Sequence, residues 1–225
     1  MMSSHQDDMP LLNVAVIGKS GTGKSTFINA YFGLPHTEDY AAMTDVVECT
    51  QITTPYYLPG CDVVLWDVPG FGTQRCQDDA DYIHKINLKN FDFYLLLSCS
   101  KISEYEILLH NEIAKQGKRY FYIRTKFDRE LKNEKMAHRA TFSEENTRNK
   151  IRKEITDKFP DVPVYFVDSL KPDMYDFPSL KLLVKEGTLF SKSSHRDVQR
   201  KGEYMVEVRN NRQRPAAVRE KCIIL

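Results

Sequence analysis

An α/β domain is predicted, a mostly parallel sheet with helices on both faces, and three observations carry that prediction. Apolar runs of strand length fall at 11–17, 52–57, 63–67, 91–98, 119–124 and 163–167. Helix-like stretches lie between most of them, and strands alternating with helices need crossovers that give parallel pairing and cover both faces. Several runs also end in a polar, turn-forming cluster (at Gly18, Asp67 and Thr125), and open sheets of this class collect their functional groups at strand carboxyl ends.

The elements follow in order. Leu11 to Ile17 is an apolar run, and Ser25 to Phe32 reads as the helix after it. Glu104 to Gln116 is a second helix, stopped by Gly117. Ser143 is placed to cap a helix running to Phe159, with Glu144 and Glu145 in its first turn and Ile151, Ile155 and Phe159 on one face. Pro178 opens a last helix that Gly187 would end. No internal repeat is visible. The expected organisation is a short polar N-terminus over 1–10, one domain over 11–190 and a basic, flexible tail over 191–225.

Composition sets bounds on function. A chain of 225 residues with 41% hydrophobic content can bury a core, and a formal charge of +1 argues against nucleic-acid binding through bulk charge. Met1 to Met9 is polar and lacks the apolar core of a signal peptide, and no run approaches a membrane-spanning length. Cys49, Cys61, Cys76, Cys99 and Cys222 are odd in number and lack metal-type spacing, so they read as reduced cytosolic thiols.

Gly18-Lys19-Ser20-Gly21-Thr22-Gly23-Lys24-Ser25 fills every fixed place of the G-x-x-x-x-G-K-[ST] phosphate loop, between a strand and a helix as that loop requires. Its glycines let successive N–H groups turn towards phosphate oxygens, aided by the positive helix end. Lys24 would reach the β/γ-phosphates, Ser25 would ligate Mg²⁺, and Thr26 follows at the helix start. Trp66-Asp67-Val68-Pro69-Gly70 closes the next apolar run. There Asp67 could hold Mg²⁺ through water, and the Gly70 amide could meet the γ-phosphate. A lone D-x-x-G is a weak signal, because Asp and Gly commonly end strands. Thr125-Lys126-Phe127-Asp128 closes Tyr120 to Ile123. Asp128 would accept from the guanine N1–H and N2 amine, a donor pair adenine lacks, while the Lys126 stem lies over the base with its charge in water. Three motifs in this order, each on its own strand end, imply a guanine-nucleotide site.

The last four residues, Cys222-Ile223-Ile224-Leu225, form a C-a-a-X ending whose terminal Leu favours geranylgeranylation of Cys222. Upstream, Lys192 to Lys221 holds nine Lys/Arg against four Asp/Glu. One lipid chain binds membranes reversibly, and a basic patch is a second signal for anionic cytoplasmic leaflets. The expectation is a cytoplasmic protein associated with the cytosolic face of a membrane.

These residues, together with Ala41 to Thr50, Leu65 to Gly72, Tyr120 to Asp128 and Tyr175-Asp176-Phe177-Pro178, resemble the GTPase domain of the interferon-inducible, immunity-related GTPases. The resemblance spans roughly residues 10 to 190. It implies the P-loop NTPase fold, with Lys24 placing the chain in the family's lysine-bearing subgroup. It further implies that Thr44 and Thr50 lie in the first switch segment as Mg²⁺ or nucleotide ligands. By the same resemblance, Glu48 serves hydrolysis when two domains meet across their nucleotide faces, Lys24 and Thr50 are the other catalytic residues, and Ser169 begins the last base-contacting loop. Leu170 stands where the family's usual asparagine would be.

Family members usually carry a helical segment before the domain and a long helical region after it, whereas about ten residues precede the first strand here and some forty follow the last helix. Phe71 occupies the place where Ras-type GTPases put a water-orienting glutamine, and a phenyl ring cannot hydrogen-bond water. Two functions are therefore expected. One is a slow GTPase of innate immunity, activated by forming a homodimer or hetero-oligomer with related GTPases. The other is a non-hydrolysing GTP-binding module that titrates full-length relatives.

Overall fold

In the computed structural model, residues 12–34, 52–56, 63–71, 82, 83 and 86–185 are described. Strands β1 (Leu12–Gly18), β2 (Thr54–Tyr56), β3 (Val63–Asp67), β4 (Phe93–Ser98), β5 (Tyr120–Arg124) and β6 (Val164–Phe166) form one sheet in the order β2-β3-β1-β4-β5-β6. Every pairing is parallel except β2 with β3, where Thr54 meets Asp67 and Tyr56 meets Leu65. The helices are α1 (Lys24–Phe32), α2 (Glu104–Lys115), α3 (Phe127–Ala137), α4 (Glu144–Lys158) and α5 (Phe177–Lys185). The α/β class expected from the sequence is the class observed.

Alternation along each strand builds two cores. Ala15 and Ile17, Val64 and Trp66, Tyr94 and Leu96, and Tyr120 and Tyr122 point to one face, against Leu109 and Ile113 of α2, Leu131 of α3 and Ile155 of α4. Their neighbours Val14 and Val16, Val63 and Leu65, Phe93, Leu95 and Leu97, and Phe121 and Ile123 point to the other. That second face is covered by Phe27, Ile28 and Tyr31 of α1 and by Phe177, Leu180 and Val184 of α5. Both faces are dry, so the parallel strands carry near-continuous apolar runs.

Local signals set most helix ends. Ser103 caps α2 through a reciprocal box: its Oγ accepts from Glu106 N–H, and the Glu106 carboxylate accepts from Ser103 N–H at 2.6 Å. Ser143 Oγ accepts from Asn146 N–H at the start of α4, as expected, and Ile155 and Phe159 are buried with Ile151 packed beside them. The last helix begins at Phe177, one residue before Pro178, while the expected stop at Gly187 lies outside the described residues. Asp176, ahead of α5, accepts from Phe166 N–H at 2.8 Å and from Arg148 Nη1 at 2.9 Å, so Tyr-Asp-Phe-Pro ties α5 to β6 and α4.

Helix α3 was not singled out in the sequence. It buries only Phe127 and Leu131, its N-cap is Lys126 in a left-handed conformation (φ 56°), and no side chain caps it. Neither a wide apolar stripe nor a Ser/Thr/Asp/Asn cap was there to announce it.

The central strand β4 carries the load of both cores. Leu96, fully buried, should lose about 2–5 kcal/mol of stability on Leu96→Ala through transfer and cavity terms. Urea denaturation of wild type and variant measures this, with a lower midpoint and an unchanged slope expected.

Candidate functional site

Strand β1 leads on to β2 and β3 on one side of the sheet, whereas β4, beside it, leads on to β5 and β6 on the other, so the connections after these two strands run in opposite directions. A crevice opens at such a point beyond the strand carboxyl ends. The segment after β1 enters it at once. At Gly18 an added Cβ would lie 2.3 Å from the Leu97 carbonyl oxygen, so β1 can approach β4 only as glycine. The chain then curls back: Thr22 donates from N–H and from Oγ1 to the Lys19 carbonyl, at 3.2 and 2.9 Å. Gly21 (φ 79°) and Gly23 (φ 91°) take left-handed conformations that side chains disfavour, and Gly23 caps α1 without any side-chain hydrogen bond. The first-turn N–H groups of α1 are thus left without a side-chain cap, the arrangement that suits an anion. Lys19 and Gly21 are exposed, Ser20 and Thr26 half-buried, and Thr22 and Lys24 buried. Lys24 Nζ lies 3.4 Å from the Lys19 carbonyl.

The second segment, after β3, lies against this loop. Ser20 N–H donates to the Phe71 carbonyl at 3.1 Å, and Lys19 bridges Phe71 in parallel register. A Cβ on Gly70 would fall 2.8 Å from Ser20 N and Cα and 2.9 Å from Lys24 Nζ. Only a glycine leaves that cradle open. Ser25 Oγ donates to Asp67 Oδ2 at 2.6 Å, joining two residues 42 apart in sequence. A hydroxyl beside a buried carboxylate is an oxygen donor set for a hard divalent cation, so these residues fit Mg²⁺ by their chemistry.

Residues after β5 brace the same loop. Thr125 Oγ1 donates to the Thr22 carbonyl at 2.7 Å and approaches the Ser98 carbonyl at 3.2 Å. Lys126 Nζ donates to the Gly21 carbonyl at 2.7 Å. The Lys126 ammonium thus rests against the phosphate loop in a solvent-exposed hydrogen bond. Asp128 stands half-exposed in the first turn of α3. Behind it, buried Arg124 holds α3 to the strand: Nε and Nη2 reach Glu130 at 2.8 and 2.5 Å, and Nη1 donates to the Ser100 carbonyl. Burial opposes the Arg124 charge, but the Glu130 carboxylate outweighs it and the pKa is raised.

After β6 come Asp168 and Ser169. Asp168 is buried, and its Oδ1 accepts from Leu170 N–H at 2.9 Å, which turns the chain. Ser169 Oγ is buried and has no hydrogen-bond partner. Asp168 was missed in the sequence, although an acid ending an apolar strand is the pattern that singled out Asp67.

Phe71 is buried and stacks on Tyr105 of α2, ring centroids 3.3 Å apart, with Tyr82 edge-on at 6.1 Å. Its ring belongs to the core rather than to the crevice. Thr44, Glu48, Thr50 and Cys222 lie outside the described residues. The residues expected from sequence that are described, Gly18 to Thr26, Asp67, Gly70, Thr125, Lys126, Asp128 and Ser169, all gather at one end of the sheet.

Comparison with known proteins agrees with this arrangement. The fold resembles Toc33 from Arabidopsis thaliana, a structure in complex with Mg²⁺ and GMPPNP, with a TM-score of 0.53 at 16% identity over 80% of this chain and 85% of that one. Interferon-inducible GTPase 5 of Bos taurus is 38% identical over 77% of the chain and 38% of its own length. Interferon-gamma-inducible GTPase 10 of Mus musculus is 34% identical over 78% of the chain and 43% of its own length. The chain thus spans about two fifths of the length of these relatives. A sequence model described as Interferon-inducible GTPase (IIGP) matches residues 4–207, nearly the whole chain. With the P-loop GTPase fold, a family model over nearly the whole chain and relatives above 30% identity, the chain belongs to the interferon-inducible GTPase family.

Proposed function

We propose that this chain binds GTP and GDP and hydrolyses GTP to GDP and phosphate, slowly as a monomer and faster as a dimer, as a membrane-associated switch in innate immunity. One observation carries the nucleotide part. Thr125 and Lys126 hydrogen-bond the Thr22 and Gly21 carbonyls, coupling the guanine-reading motif to the phosphate loop. Asp128 reads the guanine edge, with Ser169 beside the base. The amides from Lys19 to Thr26 and Lys24 Nζ take the phosphate oxygens, and Gly70 meets the terminal phosphate. Ser25 and Asp67, with Thr44 and Thr50 from the first switch segment, would hold Mg²⁺, which neutralises charge on the phosphate oxygens.

Three supports bear on hydrolysis and attachment. Buried Phe71 cannot orient water, so an isolated monomer lacks a polar group at that place. Glu48 is the proposed replacement, brought into play when two nucleotide faces meet. The C-a-a-X ending at Cys222 and the basic residues before it support attachment to the cytosolic face of a membrane.

Competition titration tests the base. GTP and GDP should displace a fluorescent guanine nucleotide and ATP should not. Asp128→Asn should weaken GDP roughly 10- to 100-fold by removing a charged acceptor, and it should favour xanthine nucleotides. Equal affinity of wild type for ATP and GTP would remove the assignment.

Specific activity should rise with protein concentration, and Glu48→Ala should remove that rise, costing about 10²-fold at high concentration while nucleotide affinity is kept. Flat, near-zero turnover at every concentration would instead favour the non-hydrolysing module that titrates relatives.

In fractionated cells, Cys222→Ser should move much of the protein from membranes to cytosol, because the basic stretch alone binds weakly and is screened by salt. Equal partition of wild type and variant would dismiss lipidation.

A further inference from the structure

The carboxyl ends of β5 and β6 are joined by two hydrogen bonds, Val167 N–H to the Arg124 carbonyl at 2.8 Å and Phe127 N–H to the Val167 carbonyl at 3.3 Å. The next residue on each side is an acid, Asp128 on one and Asp168 on the other. Tyr175, edge-on to Phe127 with centroids 5.2 Å apart, stands in the field of both. Burial, then Glu144, Asp128 and Asp168, raise its phenol pKa against the opposing Arg148. The strand-end pairing thus sets Asp128 and Asp168 each one residue beyond a paired position, at the end of the sheet where the guanine edge is proposed to sit.

Asp168 differs from Asp128 in its surroundings. It is only 3% exposed. Its Oδ1 accepts from Leu170 N–H, whereas its Oδ2 is buried with no hydrogen-bond partner, and neither has the adjacent Ser169 Oγ. A buried carboxylate oxygen without a donor is costly, and native structures seldom keep one without a use. What is missing at this point is an N–H.

Guanine offers three such protons on one edge, the N1–H and two on the N2 amine. Asp128 accepts the N1–H and one amine proton, which leaves the second amine proton without an acceptor. We propose that Asp168 is a second base-reading carboxylate, its Oδ2 accepting that remaining proton. This deepens the guanine reading above and rests on it. Two acids along the edge would favour a base by its exocyclic amine, and they would reject one carrying a carbonyl at that carbon.

Competition titrations on the full 225-residue chain with Mg²⁺ test this, using GDP, IDP, XDP and ADP as probes against wild type, Asp168→Asn and Asp168→Ala. Inosine lacks the amine, and xanthine carries a carbonyl in its place. Asp168→Asn keeps an oxygen for Leu170 N–H while turning the Oδ2 acceptor into a donor. It should weaken GDP about tenfold, leave IDP within about twofold, and raise the XDP-to-GDP affinity ratio at least tenfold. Asp168→Ala should weaken GDP relative to IDP and raise the XDP-to-GDP ratio less than Asp168→Asn does, because it removes the carboxylate without adding a donor. Ratios within one variant do not depend on how much of it is folded, so loss of stability cannot imitate this pattern. Wild-type ratios in both variants would overturn the proposal and leave Asp168 as a loop anchor. Failure of wild type to prefer GDP over ADP is a separate result, and it would remove the guanine reading itself.

Discussion

The Thr125 hydroxyl and the Thr22 carbonyl, 103 residues apart in sequence, meet at 2.7 Å in a buried contact. With Lys126 Nζ on the Gly21 carbonyl, this bond holds the loop after β1 to the end of β5, across the width of β4. A loop made of left-handed glycines has little stiffness of its own, because glycine gives up the most backbone freedom on ordering. Its shape is held from outside: by Phe71 on one flank, by Thr125 and Lys126 on the other, and by Leu97 beneath Gly18. The sheet makes those three supports simultaneous. Parallel register sets the ends of β1, β3, β4 and β5 side by side, so each following segment can reach the same turn.

The electrostatics of the crevice follow from the same supports. Lys24 is 7% exposed, and a buried ammonium is costly unless polar groups surround it. Backbone carbonyls such as that of Lys19 meet part of this need, and an anion at the loop would meet it more strongly. Burial of Asp67 beside the Ser25 hydroxyl sets an acceptor-rich point next to that cation. Charge separation over a short distance in a partly dry crevice suits a ligand that itself alternates phosphate and metal.

Phe71 marks where this domain departs from GTPases that carry a glutamine at that position. The aromatic ring extends the core between α2 and the end of β3, stacked on Tyr105, and so contributes packing where a polar side chain would contribute chemistry. Its backbone still serves the site, since its carbonyl accepts from Ser20 N–H. A domain built this way keeps a well-supported loop after β1 while position 71 gives its ring to the core and only its carbonyl to the loop.

From the sequence alone came the α/β class, the six strands to within two residues at either end, the cap at Ser143, the helix stop at Gly117, and the residues of the phosphate loop. These are local properties, written in apolar runs, turn formers and fixed spacings. Tertiary structure decided what local patterns cannot encode. Lys126 points to Gly21 and Phe71 turns into the core because partners 105 and 34 residues away wait there. Helix α3 forms on two buried residues because Arg124 and Glu130 clamp it to β5. Asp168 comes to the same end of the sheet as Asp128 only because β6 pairs beside β5, a register that no run of neighbouring residues specifies. Side-chain roles that depend on contacts between distant segments become legible only when the sheet brings those segments together.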